Sequence, residues 1–569
     1  MNNENQVKAP KDPTAKRPVV YVMLDNIIEG SPQKDGRFMD VSFLEGRMED
    51  KIIGNMPGIK QSIAAKLQSC AGLRELVHSI GITITAEEKE DRLQSAEFTL
   101  QCKSGKSYHG TEYKAKVPCN GEEKIIVLSD YPVSTTDTVL ASFQTVFDKY
   151  MIGKMTICFY LEYGYVVPEI TLDKPVSFDS EEYQQMIGNS LVSLGNVNRI
   201  KKAIEKARKG EDVFIAYIGG SITQGAGAKP IATECYAYQS YMAFKKRFGV
   251  GTGANVHLVK AGAGGTSSEL GLTRYDDDVL RNGTVSPDIV VIEFAVNDGD
   301  DETNGICYES LALKAWEGKG NPAVILMFSV FMSDYNLQDT LSAVGYCHDF
   351  PMISVKDAVV PQFYNDNPVV TKRQFFYDIY HPTNIGHRIM AECIDYFWKQ
   401  ADVAPMKREE EKKEYTVAIG DTYRAMKAFT RRNATECLAV LSLENGSFVE
   451  TDTILQCVER DDEAFTTPEF PDNWMHIGGN GNESFRMKIR CKDLLLTYKD
   501  SDNSDFGQAE VWVDDHFVRT LNPLAVGWTH CTASIVISDD KVAEHELEVK
   551  LCPADGSKNF TILGFGYTE

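Results

Sequence analysis

The chain has 569 residues, more than one ordinary hydrophobic core accommodates, so roughly two to four domains are expected. Its composition, 43% hydrophobic, 25% charged and 10% aromatic, is that of a soluble globular protein. A formal net charge of -23, with no dense basic patch to offset it, repels phosphates and anionic lipid, so neither nucleic acid nor membrane is expected as a partner.

The opening stretch, MNNENQVKAPKDPTAKRP, is polar and lacks both an apolar run and a small-residue cleavage site. It predicts a flexible arm rather than a secretory signal. No segment approaches the ~18 consecutive apolar residues that span a bilayer. The 13 cysteines are odd in number, scattered, and often inside apolar runs such as MTICFYL. Buried free thiols in a reducing cytoplasm account for them better than a disulfide framework does. No CxxC pair occurs, so a structural zinc site is not expected.

Residues 1–195 form the first expected domain. Past the arm it is β-rich: SAEFTLQC, EKIIVLS and KMTICFYLEYGYVV carry β-branched and aromatic residues between turn signals. One helix is expected over PGIKQSIAAKLQSCAGLRELVHSIG, set against a β-sandwich core. No chemistry is legible here.

The pattern changes at Asn196, and residues 196–404 form the second expected domain. In NRIKKAIEKARKG, Ile200, Ala203, Ile204 and Ala207 share one helical face. Strands and helices then alternate. VFIAYIG, VHLVKAG, DIVVIEFAV, AVILMFSV and MISV are strand candidates, and a last helix runs from Asn384 to about Lys399. The first of these strands is a continuous apolar run, as expected for a strand buried on both faces. The alternation predicts an α/β fold, a three-layer α/β/α arrangement around a parallel sheet. Ligands of such sheets sit beyond the carboxyl ends of the strands.

MKREEEKKE reads as a linker or a solvated helix face. From there residues 405–569 form a third, β-rich region, patterned as a β-sandwich: FRMKIRCKDLLLTYKDSD, QAEVWVDDHFVRTL, ASIVIS and HELEVKLC alternate with turns such as Asp514-Asp515.

Four polar or glycine-rich blocks carry the chemistry. The first, YIGGSITQGAG, presents Ser221 after a buried strand, with Gly219, Gly220 and Gly225 allowing a tight turn. It is not a Walker A loop, since Ala226 stands at the Lys position, nor an α/β-hydrolase elbow, since Thr223 replaces the last Gly. The second, KAGAGGTSSELG, offers backbone N–H groups at Gly262 and Gly264 to an anion. The third, FAVNDGDD, places the Asn297 amide at a strand end, where it either binds an oxyanion or makes an Asx-turn. The fourth, FFYDIYHPTNIGH, spaces Asp378 and His381 so that one turn brings carboxylate and imidazole together, with Pro382 holding His381 extended. His387 lies inside the following helix and suits packing or capping; its spacing from His381 does not suit a shared metal.

Together the four blocks resemble those of the SGNH hydrolases, the GDSL-type esterase and lipase superfamily. The resemblance covers roughly residues 210–402. Gly219-Gly220-Ser221-Ile222 matches the first block, with Gly where the name has Asp. Gly262 matches the second-block glycine and Asn297 the third-block Asn, although Lys260 and Ala295 depart from the usual residues. Asp378, His381 and Pro382 match the Asp-x-x-His-Pro block.

The resemblance implies a catalytic triad of Ser221, His381 and Asp378. It implies an oxyanion hole from the N–H groups of Ser221 and Gly262 and the Asn297 amide, with no metal or organic cofactor. A β-rich region attached to such a domain is similar to the layout of carbohydrate acetylesterases, so an acetylated oligosaccharide is the expected substrate. A lipase, thioesterase or lysophospholipase on the same fold, and a non-catalytic carbohydrate-binding protein, are the alternatives. Trp474 in PDNWMH and Trp528 in VGWTH are either sugar-stacking residues or sandwich core. The C-terminal region could instead wall the cleft or form the contact of a homo-oligomer.

Overall fold

The computed structural model describes residues 16–33, 35–104, 110–132, 135–407, 416–454 and 470–569; at residue 300 it describes the backbone alone. The expected N-terminal arm and the linker lie almost wholly outside the described residues. Among those described, no helix is long and apolar enough to cross a membrane.

The first region is built from two antiparallel sheets. Four strands pair in the order Val19–Glu29, Ile152–Leu161, Val77–Ala86, Lys124–Val127, and five in the order Ser31–Pro32, Phe38–Phe43, Val139–Phe147, Ser95–Lys103, Glu112–Pro118. Alternation sets their faces: Ala96, Phe98, Leu100 and Cys102 all turn into one core that both sheets share. The single helix expected over 57–81 is two short helices, Gln61–Lys66 and Cys70–Leu76, followed by a strand. Ser69 starts the second helix by accepting the Gly72 N–H at 3.0 Å, and β-branched Val77, Ile80 and Ile82 then favour the strand.

The central sheet has six strands in the order Leu191–Ser193, Met352–Ser354, Ala323–Phe328, Ile289–Glu293, Val213–Gly219, Val256–Gly262. All pairings are parallel except the first, which is antiparallel, so the sheet is mixed rather than wholly parallel. Its apolar strands are continuous because both faces are covered. Val213, Ile215 and Tyr217 face one helical layer, Ala216 and Ile218 the other. The helix Asn198–Arg208 buries Ile200, Ala203, Ile204 and Ala207, the stripe its sequence presents. The boundary expected at 195/196 falls too late. Tyr183, Met186 and Ile187 of the helix Glu181–Gly188 already lie in the core of this layer, and Leu191–Ser193 is hydrogen-bonded into its sheet.

The C-terminal strands join one hydrogen-bonded sheet of eight among the described residues. ASIVIS and HELEVKLC, separate in the sequence pattern, belong to one 22-residue strand, His530–Leu551. Asp514 and Asp515, at φ 51° and 62°, turn the hairpin between Ala509–Val513 and His516–Leu521. In the long strand Phe485–Asp500 the register shifts twice between Cys491 and Leu495, changing which side chains face inward. Phe485, Met487, Ile489 and Cys491 face the C-terminal core before the shift, Leu494 and Leu496 after it. Leu495 and, from the neighbouring strand, Ile535 point instead into the second helical layer of the central domain. Trp474 is fully buried beside Phe429, Phe485 and Phe565, which settles it as core.

Trp474→Ala is expected to cost about 3–5 kcal/mol, the usual penalty for emptying a large aromatic site in a packed core. Denaturant midpoints of the two proteins measure it.

Candidate active site

The strand Val213–Gly219 ends under a one-turn helix, Ser221–Gln224, so Ser221 leaves the sheet at its carboxyl edge. Gly225 closes that turn at φ 109°, in the left-handed region where glycine is unstrained. The Ser221 hydroxyl and His381 Nε2 are 2.9 Å apart, and His381 Nδ1 is 2.8 Å from Asp378 Oδ2. Asp378 Oδ1 accepts the backbone N–H groups of Tyr380 at 2.8 Å and His381 at 2.7 Å. With Nδ1–H donated to the carboxylate, the Nε2 lone pair faces the Ser221 hydroxyl, the arrangement a general base needs.

Asp378 is fully buried. Burial by itself would raise its pKa. The facing His381 charge and hydrogen bonds from the ring and from the two backbone N–H groups outweigh that and hold it below the ordinary carboxylate value.

Asn297 follows the neighbouring strand Ile289–Glu293 and sits against the nucleophile turn. A Cβ on Gly220 would lie 2.3 Å from its Oδ1, so any larger residue there would displace the Asn297 amide. The Oδ1 atom accepts no hydrogen bond, which rules out the Asx-turn reading. Gly262 ends the strand Val256–Gly262 and is buried against Thr223 and Gln224; a Cβ there would meet the Gln224 nitrogen at 2.0 Å. Gly264 and Gly265 follow in the same turn and are progressively more exposed, Gly265 at φ 70°. His387 is buried and belongs to the packing. Its Nδ1 accepts the Tyr236 N–H at 3.2 Å, its Nε2 faces the Ala226 carbonyl at 3.0 Å, and burial pushes its pKa down to about 3.

Several supporting groups escape a reading of the sequence. The Thr223 hydroxyl lies 2.7 Å from Tyr236 Oη and donates to Glu293 Oε2 at 3.1 Å. Glu293 is fully enclosed, and burial pushes its pKa up to about 8 against the hydrogen bond from Thr223 that lowers it. A lone acid inside the apolar run IVVIEF was its only sequence signal. Asp298 accepts the Ser268 N–H at 2.8 Å and so ties the third block to the second. Phe43 and Lys51 approach from the N-terminal region. The Phe43 N–H reaches Asp378 Oδ2 at 3.4 Å, and its ring stands edge-on to His381 with centroids 5.9 Å apart. From the C-terminal region, His530 Nε2 lies 2.8 Å from the Gly265 carbonyl, and the partly buried Trp528 packs on the same glycine.

Among the described residues one grouping has metal-ligand chemistry, Glu309 with Cys347 and His348. Its carboxylate is already spent on protein donors: the N–H groups of Ala418, Ile419 and Gly420 at 2.6–2.8 Å, with His348 Nε2 at 2.7 Å.

Residues 217–389 match the family model of the GDSL-like lipase/acylhydrolases. No curated protein matches the chain. Among solved structures, a two-domain esterase (CEX) active on acetylated mannans is similar, at 25% identity and a TM-score of 0.57. The match covers 67% of this chain and 99% of that one. The same esterase co-crystallised with mannopentaose matches at 25% identity and a TM-score of 0.56, over 67% of this chain and 98% of that one. The resemblance to SGNH hydrolases that the four blocks carry is thus borne out for the central domain.

Glu293 supplies a stability test. Its folded-state pKa, about 8, lies above the ordinary 4.5. Its contribution is therefore full below the unfolded value and is lost as the pH rises through 8. Between about pH 5 and 9 the native protein should lose on the order of a few kcal/mol more than Glu293→Gln, read from denaturant midpoints.

Proposed function

We propose that the chain is a serine esterase that removes O-acetyl groups from an oligo- or polysaccharide through an acyl-enzyme intermediate. The observation that carries the reading is the hydrogen-bonded line from Asp378 through His381 to Ser221, at 2.8 and 2.9 Å. His381 takes the hydroxyl proton as Ser221 Oγ attacks the ester carbonyl. The oxyanion forms at the carboxyl edge of the sheet. There the Ser221 N–H, the second-block backbone beginning at Gly262, and the Asn297 amide are the proposed donors. His381 returns its proton to the departing sugar hydroxyl. It then draws a proton from water, which attacks the acyl-enzyme and releases acetate.

A carbohydrate as the leaving group is supported by the CEX esterase, which acts on acetylated mannans. The placement of Trp528 supports it too. Trp528 packs on Gly265 beside the second block, where an indole face could stack on a sugar ring. The chain divides on this reading into an N-terminal β-rich region, the hydrolase, and a C-terminal region that recognises glycan. Nine of the twelve described cysteines are buried in apolar surroundings rather than arranged as a framework, which supports a cytoplasmic location.

Ser221→Ala is expected to lower turnover of an aryl acetate on the order of a millionfold while the circular dichroism spectrum stays native. Near-native turnover in that variant would refute the reading.

Removing the C-terminal region would take away Leu495 and Ile535 and uncover their partners in the hydrolase layer, so the glycan role is better tested by one side chain. Trp528→Ala should keep aryl-acetate turnover within about 2-fold. It should lose about 10-fold or more in kcat/KM on acetylated oligosaccharides, the scale of one lost stacking contact. Equal loss on both substrates would place Trp528 among the supports of the second-block turn.

A further inference from the structure

Tyr377, the residue before the catalytic carboxylate, turns its side chain out of the hydrolase core. Its side chain is 2% exposed and belongs to the hydrophobic core of the N-terminal region, in one cluster with Met23, Ile52 and Met56. Three groups of that region hold it. Its hydroxyl donates to Asp40 Oδ2, its carbonyl accepts from Lys51 Nζ, and the same carbonyl accepts from Asn26 Nδ2 at 3.4 Å. The other oxygen of Asp40 receives Lys229 Nζ at 2.6 Å. Lys229 is bound back to Asn384, the first residue of the final helix, by two bonds of 2.8 and 2.7 Å. The Tyr377 N–H donates to the His381 carbonyl at 2.8 Å, closing the turn that contains both Asp378 and His381. A grip on Tyr377 is therefore a grip on that turn.

We propose that Lys51, Asp40 and Tyr377 form a positioning device through which the N-terminal region fixes the Asp378–His381 turn, making that region a working part of the esterase rather than an appended module. The inference rests on the esterase reading above. One further observation agrees with it. Lys51 is 1% exposed; burial pushes its amine down to about 8 while the nearby Asp378 draws it back up, so it also sets charge beside the triad carboxylate.

The device is tested in the full-length chain with Lys51→Met and Tyr377→Phe, assayed on an aryl acetate and normalised to folded protein by circular dichroism. Lys51→Met should lower kcat about 10- to 100-fold with KM within about 2-fold, because misplacing a catalytic group by an ångström costs rate, not binding. Tyr377→Phe keeps the ring in the core and deletes only the bond to Asp40; it should fold even if Lys51→Met does not, and lower kcat by about 3- to 10-fold. A folded variant of either kind with wild-type kcat, or with KM raised and kcat intact, overturns the proposal. A wild-type chain that neither hydrolyses the ester nor labels at Ser221 with a fluorophosphonate overturns the esterase reading and this proposal with it.

Discussion

A buried carboxylate is the constraint around which this molecule is arranged. An ionised group removed from water costs several kcal/mol unless donors replace the lost hydration. Asp378 is fully enclosed, and its donors come from more than one part of the chain. The His381 ring and the backbone of residues 380 and 381 supply three of them at 2.7–2.8 Å. The Phe43 N–H, from a strand of the N-terminal region, supplies a longer fourth. The short loop that carries Asp378 and His381 thus satisfies its buried charge only where two regions meet. The seam continues away from the site, where Arg373 binds Asp173 at 2.8 Å and the Asn55 carbonyl at 2.8 Å.

Ser221 is held by different means. Ser221 stands on a strand paired on both sides, with Gly219 opposite Gly262 on one neighbour and Glu293 on the other. Parallel pairing brings all three strand ends to one edge, and the blocks that follow them therefore converge. Beneath Ser221 the Thr223, Tyr236 and Glu293 side chains form a small polar network inside an apolar layer, with Glu293 Oε1 left without a partner. A proton on Glu293 removes the cost of a buried charge there, as its raised pKa indicates. Asp378 and Glu293 are therefore opposite solutions: an acid kept ionised by donors, and an acid kept neutral by burial.

The C-terminal sheet reaches the site through its strand irregularities. Without the register shifts in Phe485–Asp500, alternation would keep Leu495 on the same face as Cys491. With them Leu495 enters the hydrolase layer while Leu494 and Leu496 stay in the C-terminal core. The Glu309 carboxylate, by collecting the N–H groups of residues 418–420, fastens the start of this region to the same layer. Trp528 and His530 come to rest against Gly265 as a consequence.

The sequence by itself determined what depends on short spacings. The apolar stripe of Asn198–Arg208, the strands that end in the first three blocks, and the three-residue interval between Asp378 and His381 are local, and local geometry follows from side-chain periodicity. Tertiary structure decided whatever depends on distant partners. The serine and histidine that form the 2.9 Å contact are 160 residues apart, and their meeting still announces itself because each lies in a recognisable block. Tyr377 and Lys51 are 326 apart and lie in none. A tyrosine before an aspartate and a lysine in a short helix look like any others. Only the folded chain shows that one ring crosses into a neighbouring core and that one amine is buried to hold it. The two tryptophans divide for the same reason: WMH and GWTH are equally plausible on paper, and packing alone sends Trp474 inward and leaves Trp528 at the second-block turn.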